Sequence, residues 1–382
     1  MTDNRYRRLP VGIQSFKVIR EENYLYVDKS DIVWNMVNLG DKYNYLSRPR
    51  RFGKSVLVDT LEAYLEGRKD LFEGLKIMQL EKDWKHYPVI RLDMSRGGAS
   101  EDTLRSYLNL RFKDYEEKYN ITPDPTAMLA DRFHAIIVTA YKQTGLRVAV
   151  LIDEYDSPLQ HSWRTPEHEK CTGVYREVFA ILKADDEYEH FVFITGITKF
   201  TQLSLFSVLN NLSNISFTPE YAAICGITEE EIKENFMPEI NQMSEANNWS
   251  IQETHDRLKA YYDGYHFSRR NMVDVYNPYS LVNALKSKEI INFWASSGAT
   301  SLLPKFVDNA ELRLSNFENI RIMRNTLELS DVSGGGAELF LYQSGYLTIK
   351  DSDEFGYILG FPNEEVKQAL YEYYGEDLTA GR

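Results

Sequence analysis

The chain has 382 residues, 43% of them hydrophobic and 26% charged. That length suits two or three cores, and the balance is that of a folded soluble protein. Asp plus Glu number 57 against 44 Lys plus Arg, a net charge of −13. Such a chain is poorly suited to broad coating of nucleic acid, which needs clustered cations to neutralise phosphate.

No run of about 18 apolar residues is available for a membrane span, and no charged-then-apolar leader is read at the start. The two cysteines, Cys171 and Cys225, form neither a CxxC pair nor a zinc spacing with histidine. A cytoplasmic location with reduced thiols is expected.

In chain order, a short strand is expected near Tyr24–Val27. A helix follows, capped by Asp28 or Ser30, with Ile32, Val33, Met36 and Val37 on one face. Strands are then expected at Tyr43–Ser47, Pro88–Met94, Arg147–Asp153 and His190–Thr195, with a fifth near Ile215–Phe217. Helices fall between them: Leu57, Leu61, Tyr64 and Leu65 recur at helical spacing, and Leu104–Tyr119 reads as another helix.

The alternation predicts an α/β fold with a mainly parallel sheet. From about residue 218 the pattern turns helical. Thr228 and Glu231 stand at capping-box positions at the head of 228–263, and Asn277 with Pro278 opens a further helix. At the end, a helix over Ala337–Gly345 and strands at Tyr346–Lys350 and Gly356–Phe361 suggest a winged-helix-like module, with a loop at Gly334-Gly335-Gly336.

Two constellations carry chemistry. Ser47-Arg48-Pro49-Arg50-Arg51-Phe52-Gly53-Lys54-Ser55 matches the last three residues of the phosphate-loop pattern GxxxxGK[ST], with Arg48 in place of the first glycine. A strand precedes it and an amphipathic helix begins near Lys54, so helix N–H groups would face a phosphate. Arg50, Arg51, Phe52, Gly53, Lys54, Ser55 and Val56 are the candidate nucleotide-binding residues. The Lys54 ammonium would reach the β- and γ-phosphates, and the Ser55 hydroxyl would ligate Mg2+. The bland alternative is a helix N-cap with a surface lysine.

The second constellation is the apolar run Val148–Ile152, closed by Asp153 and Glu154. A carboxylate at a strand end can hold magnesium, and the next one can polarise the attacking water. Asp153 is therefore the metal candidate and Glu154 the catalytic one. Thr195, Thr198 and Lys199 follow the neighbouring strand, and Thr195 is the candidate to sense phosphate or orient water. A Thr hydroxyl satisfied by nearby backbone is the competing reading.

Taken with Tyr26-Val27-Asp28-Lys29, Leu151 through Leu159, Thr195-Gly196 with Lys199-Phe200, Tyr262-Asp263-Gly264-Tyr265 and Val275-Tyr276-Asn277-Pro278, these residues resemble the AAA-ATPase-like family of bacterial P-loop ATPases, related to archaeal-type and STAND ATPases. The resemblance extends over nearly the whole chain. It makes Arg48 a family trait and implies ATP, rather than GTP, as the nucleotide. It also implies strand order 5-1-4-3-2.

The domains expected from this reading are a P-loop ATPase domain at 1–217, a helical lid at 218–300 and the winged-helix-like region at 301–382. Many relatives carry a further nuclease-like domain. No Asp…Glu-x-Lys constellation is found here, so no nuclease activity is expected of this sequence.

The expected activity is Mg-dependent ATP hydrolysis coupled to movement of the C-terminal region. The alternative is a nucleotide-gated switch or interaction module with little turnover, within a DNA-processing or defence system. A protein partner or homo-oligomer fits either. Nucleic acid is a candidate partner that the charge does not support, and no membrane is expected.

The seven scattered histidines make no zinc motif. The aromatic cluster of Tyr261, Tyr262, Tyr265 and Phe267 reads as packed core before it reads as a stacking platform.

Overall fold

Val148–Asp153 has six consecutive residues, all buried in the structure, as a strand covered on both faces requires. In the computed structural model, which describes residues 8–124, 126–199, 212–296, 303, 317–329 and 336–380, this run is β3 of a five-stranded sheet. The other strands are β1 (Tyr43–Ser47), β2 (Val89–Asp93), β4 (Glu189–Gly196) and β5 (Ser213–Asn214).

Every pairing in the sheet is parallel, and the spatial order is β2-β3-β4-β1-β5. Read from the other edge, that is the expected 5-1-4-3-2. The fold is α/β, with β4 inserted between the strand that precedes the phosphate loop and the strand that ends in Asp153.

The chain forms two compact units. One comprises Ser30–Ser47 and Val58–Ile215; the other comprises Met1–Lys29, Arg48–Leu57 and Ser216–Arg382.

In the sheet-bearing unit, helices Glu101–Lys118, Leu129–Thr144 and Glu167–Ala184 pack on one another. The first begins with a capping box between Ser100 and Thr103. The second stops at Gly145, whose φ of 69° supplies the left-handed C-cap.

The other unit is built around Leu25, Ile227, Ile232, Phe236, Ile240, Met243, Leu258, Tyr262, Tyr276 and Leu281. The helical stretch foreseen over 228–263 is three helices, Glu229–Asn235, Met237–Asn247 and Ile251–Tyr262. Pro238 in the first turn of the second helix, the left-handed Asn248 (φ 57°) and the N-cap Ser250 make the breaks. Thr228 and Glu231 form the expected capping box. The Asn277 side chain accepts from Tyr279 and Ser280 at the head of Pro278–Ser287.

β6 (Ile227–Thr228) pairs with β7 (Val275–Tyr276). Further on, β8 (Ile320–Met323), β9 (Thr348–Ser352) and β10 (Gly356–Gly360) form an antiparallel sheet in the order β8-β10-β9. It is accompanied by helices Arg324–Leu329, Gly336–Ser344 and Glu364–Ala380.

Two expected strands differ. Around Tyr24–Val27 there is one bridge, Tyr24 to Arg8. Leu25 instead contributes its side chain to the core from irregular backbone. The fifth strand ends at Asn214, and Ile215–Phe217 turns into a 3-10 helix ahead of Pro219. Phe200, Gly334 and Gly335 lie outside the described residues.

Candidate active site

The phosphate-loop residues belong to the second unit. The helix Lys54–Leu65 starts on the motif lysine, so its first turn directs N–H groups toward the loop, the polarity an anion requires. Two loop residues are left-handed, Arg51 at φ 67° and Gly53 at φ 85°. At Gly53 nothing lies within 4 Å of where a Cβ would stand. Glycine is favoured there by backbone angle and not by crowding.

Lys54 is buried, and its Nζ donates to the carbonyls of Arg48 and Pro49, each at 2.9 Å. The ammonium is thus tied across the loop by charge-assisted bonds. Ser55 and Val56 are partly buried.

The three residues before Gly53 behave differently from one another. Arg51 is exposed, with its guanidinium 4.9 Å from the Tyr279 ring. Arg50 is partly buried. Phe52 is 1% exposed and meets Tyr265 and Phe267 edge-on at 4.7 and 5.5 Å. The aromatic cluster is therefore core around the loop, with Tyr262, Tyr265 and Phe267 all buried.

Arg48 is the residue whose role the sequence concealed. Its Nη1 and Nη2 donate to the carbonyls of Ser216 and Tyr221, both at 2.9 Å, and its guanidinium lies 4.1 Å from the Phe267 ring. Burial lowers its pKa from the usual arginine value. The side chain that replaces the first glycine is an internal tether for the loop. Its partners lie about 170 to 220 positions downstream, beyond any local pattern.

The acids belong to the sheet-bearing unit. Asp153 is 2% exposed at the carboxyl end of β3, beside Asp93 of β2 in register. Its Oδ1 accepts the amide of Glu154 at 3.0 Å. Glu154 is partly exposed and left-handed, at φ 47°. That is an unfavourable angle for a glutamate, and it turns the chain sharply off the strand.

Next to it, Thr195 of β4 is fully buried, and its hydroxyl donates to the Leu46 carbonyl of β1 at 2.8 Å. The Ser47 hydroxyl donates to Ile197 at 2.7 Å. The sheet thus brings Ser47, Asp153, Glu154 and Thr195 to one edge, the carboxyl ends of three adjacent strands. Ligands in open α/β sheets collect at that edge.

Asp156 holds this edge together, a role the sequence reading had not assigned. Its Oδ2 accepts from the amides of Ile197 (3.0 Å) and Thr198 (2.6 Å), the Thr198 hydroxyl (2.6 Å) and the Gln160 amide (2.5 Å). The fit leaves no room at Gly196, where a Cβ would stand 2.4 Å from Asp156 Oδ1. Tyr155 adds a backbone bond to Thr195 at 3.0 Å and a hydroxyl bond to Thr198 at 2.9 Å. The signal was present in the sequence as Asp153-Glu154-Tyr155-Asp156-Ser157-Pro158, but the partner strand end could not be read from it.

Among the described residues, no group of three or more His, Cys, Asp or Glu could by itself hold a metal. A magnesium ion that keeps waters and phosphate oxygens as ligands needs only one or two protein groups, and the donor types at Ser55 and Asp153 fit that requirement. No described helix is long and apolar enough to cross a membrane.

Residues 10–206 match the family model described as predicted AAA-ATPase, AAA-ATPase-like. A relative from Azotobacter chroococcum mcd 1, named as an uncharacterized protein in the vnfD 5' region, is 33% identical over 376 residues, covering 96% of this chain and 69% of the relative. Among solved structures, Cdc6p from Pyrobaculum aerophilum aligns over 98% of this chain and 97% of its own, at 12% identity and a TM-score of 0.27.

Proposed function

The chain belongs to the predicted AAA-ATPase family, with an ATPase-type role, and from that premise we propose that it binds ATP with Mg2+ and hydrolyses it. The observation that carries the reading is the sheet order, β2-β3-β4-β1-β5, with an Asp-Glu pair on the end of β3 and a glycine-lysine-serine loop after β1. An extra strand between those two is the arrangement implied for P-loop ATPases that use a catalytic glutamate.

In this reading the first-turn amides of the Lys54 helix, with Gly53, Ser55 and Val56, receive the phosphates. Lys54 exchanges its two carbonyl partners for phosphate oxygens. Arg50 and Arg51 add positive charge beside the loop, and Phe52 anchors it. Ser55 and Asp153 serve magnesium. Glu154 accepts the proton of the attacking water, which adds to the γ-phosphorus as the bond to the ADP oxygen breaks, giving ADP and inorganic phosphate. Thr195 keeps the β4 end in place through Leu46.

We assign residues 218–300 as a lid and 301–382 as a winged-helix-like region. The β8-β10-β9 order, with helices between β8 and β9, supports the latter. Hydrolysis would move this part of the chain.

Calorimetry of ATP with Mg2+ tests the assignment. The native chain is expected to bind, and Lys54→Ala to bind at least tenfold more weakly. Equal binding by the two would remove the loop from the site.

A further inference from the structure

Asp156 stands two residues beyond Glu154, at the N-cap of the helix Ser157–Ser162. An aspartate at that position ordinarily accepts an amide of the first helical turn. This one makes no cap bond. It is 1% exposed, and its Oδ2 accepts the amides of Ile197 and Thr198 at 3.0 and 2.6 Å, the Thr198 hydroxyl at 2.6 Å and the Gln160 side-chain amide at 2.5 Å. Two successive backbone amides turned toward one point form a small anion-binding concavity. Here the anion is a side chain from the turn after β3, and the helix it heads goes without its cap.

Thr198 is held from every polar group it has. Its hydroxyl donates to Asp156 and accepts the Gln160 amide at 2.9 Å. Its carbonyl accepts the Tyr155 hydroxyl at 2.9 Å and the Tyr45 hydroxyl of β1 at 3.3 Å. The Thr195 hydroxyl donates to Leu46. Both threonine hydroxyls at the end of β4 are thus directed into the protein, and neither can donate to phosphate or water while these bonds last.

Glu154 lies inside this set of bonds. On one side its amide donates to Asp153 Oδ1 at 3.0 Å. On the other, the Tyr155 amide donates to the Thr195 carbonyl at 3.0 Å, the Tyr155 carbonyl accepts from Tyr175, and Asp156 is bonded to Ile197 and Thr198. A residue in an unfavourable conformation, as Glu154 is at φ 47°, persists only where its surroundings over-determine it. The bonds to the end of β4 supply that constraint.

We infer that Asp156 is a positioning residue for hydrolysis: by tying the turn after β3 to the end of β4, it sets the direction in which the Glu154 carboxylate meets the attacking water. This rests on the ATPase reading above. Glu154 remains the proton acceptor, and Asp156 acts only through it. Misplacing a reacting group by about 1 Å can slow a reaction about 100-fold, and such a loss falls on turnover and not on ground-state binding.

Phosphate release from ATP with Mg2+ tests the inference when divided by the ATP sites that calorimetry counts in the same sample, because unfolded chain drops out of that ratio. Asp156→Ala should release about 100-fold more slowly per bound ATP, with an ATP affinity within about threefold of native. Asp156→Asn, whose one oxygen can take the place of Oδ2, should recover part of the loss. Thr198→Val, which removes one donor to Asp156, should slow release by about tenfold. Added to Glu154→Gln, Thr198→Val should slow release no further, because a clamp that acts through Glu154 then has nothing left to position.

If Asp156→Ala does not fold, Asp156→Asn and Thr198→Val carry the test. Native release per bound ATP in all of these single variants, affinity that falls in step with release, or a double variant slowed by both changes in full would overturn the inference and leave hydrolysis in place. Absence of release by the native chain would instead remove the ATPase reading, and this inference with it.

Discussion

Arg48 shows how one side chain can replace a glycine and change what a loop needs. Its guanidinium bonds two carbonyls and covers an aromatic face. Arg48→Gly would restore the common phosphate-loop pattern and remove all three contacts. Charge-assisted bonds contribute roughly 1.5–3 kcal/mol each and a desolvated cation–π contact about 2. These sum to roughly 5–8 kcal/mol, but burial disfavours the charged guanidinium and offsets part of that gain, so we expect the change to destabilise the chain by at least about 3 kcal/mol in urea unfolding, with no gain in ATP affinity. Unchanged stability would show that the arginine is not a tether.

Glu154 makes the opposite case: its φ of 47° costs a glutamate stability, and under the proposed function its carboxylate is the group that takes the proton of the attacking water. Glu154→Gly relieves the angle and adds chain entropy, so stability should stay within about 1 kcal/mol of native while phosphate release is lost. A large loss of stability in that variant would give the glutamate a structural role instead.

Secondary-structure elements were legible where their signals are local. The Thr228–Glu231 capping box and the Asn277-Pro278 helix start require only neighbours in sequence, and both formed. Glu231 also meets Lys29 Nζ at 2.5 Å, which explains the lysine of Tyr26-Val27-Asp28-Lys29 as a structural partner of that cap. Thr228→Ala should cost about 1 kcal/mol by loss of the cap, and Glu231→Ala more, since it also leaves the buried Lys29 without this carboxylate. Thermal unfolding of the two variants checks that order.

Long-range pairing was legible only through the family resemblance, which implied the strand order of the sheet; residue spacing did not show it. The Tyr24–Val27 segment has the residues of a strand but only one bridging partner, and the fifth strand yields to the turn before Pro219. The helical stretch broke in three because Pro238 and the left-handed Asn248 act on the backbone, not on hydrophobic spacing. At the candidate site, the loop and the acid pair could be read from the sequence. The Asp156 clamp could not, because its acceptor oxygen serves residues about 40 positions away.

Across the whole molecule, burial sets a pH dependence. Glu189 is fully buried at the start of β4, with Tyr43 donating to Oε2 at 2.6 Å, and burial is the main cause that raises its pKa to about 8. Lys42, Asp185 and Asp186 also act on it. Its unfolded value is near 4.3. Between those values the folded state holds a proton that the unfolded chain has released, so this group's stabilisation is present below about pH 4 and is lost as pH rises to about 8.

Asp263 and Glu365, each raised to about 7 mainly by burial, act in the same direction. Glu189→Gln should therefore flatten part of the decline. The variant should be more stable than native at pH 8 by on the order of 1–3 kcal/mol and nearly equal at pH 4. Parallel pH profiles for the two proteins would contradict this.

Hydrolysis is tested by phosphate release from ATP with Mg2+ by the native chain and by Glu154→Gln, with ATP binding measured on the same samples. The native chain should release phosphate, and the variant should bind ATP but release phosphate at least a hundredfold more slowly. Equal release by both, or binding with no release by the native chain, would contradict that expectation, and the latter result would identify the protein as a nucleotide-gated switch.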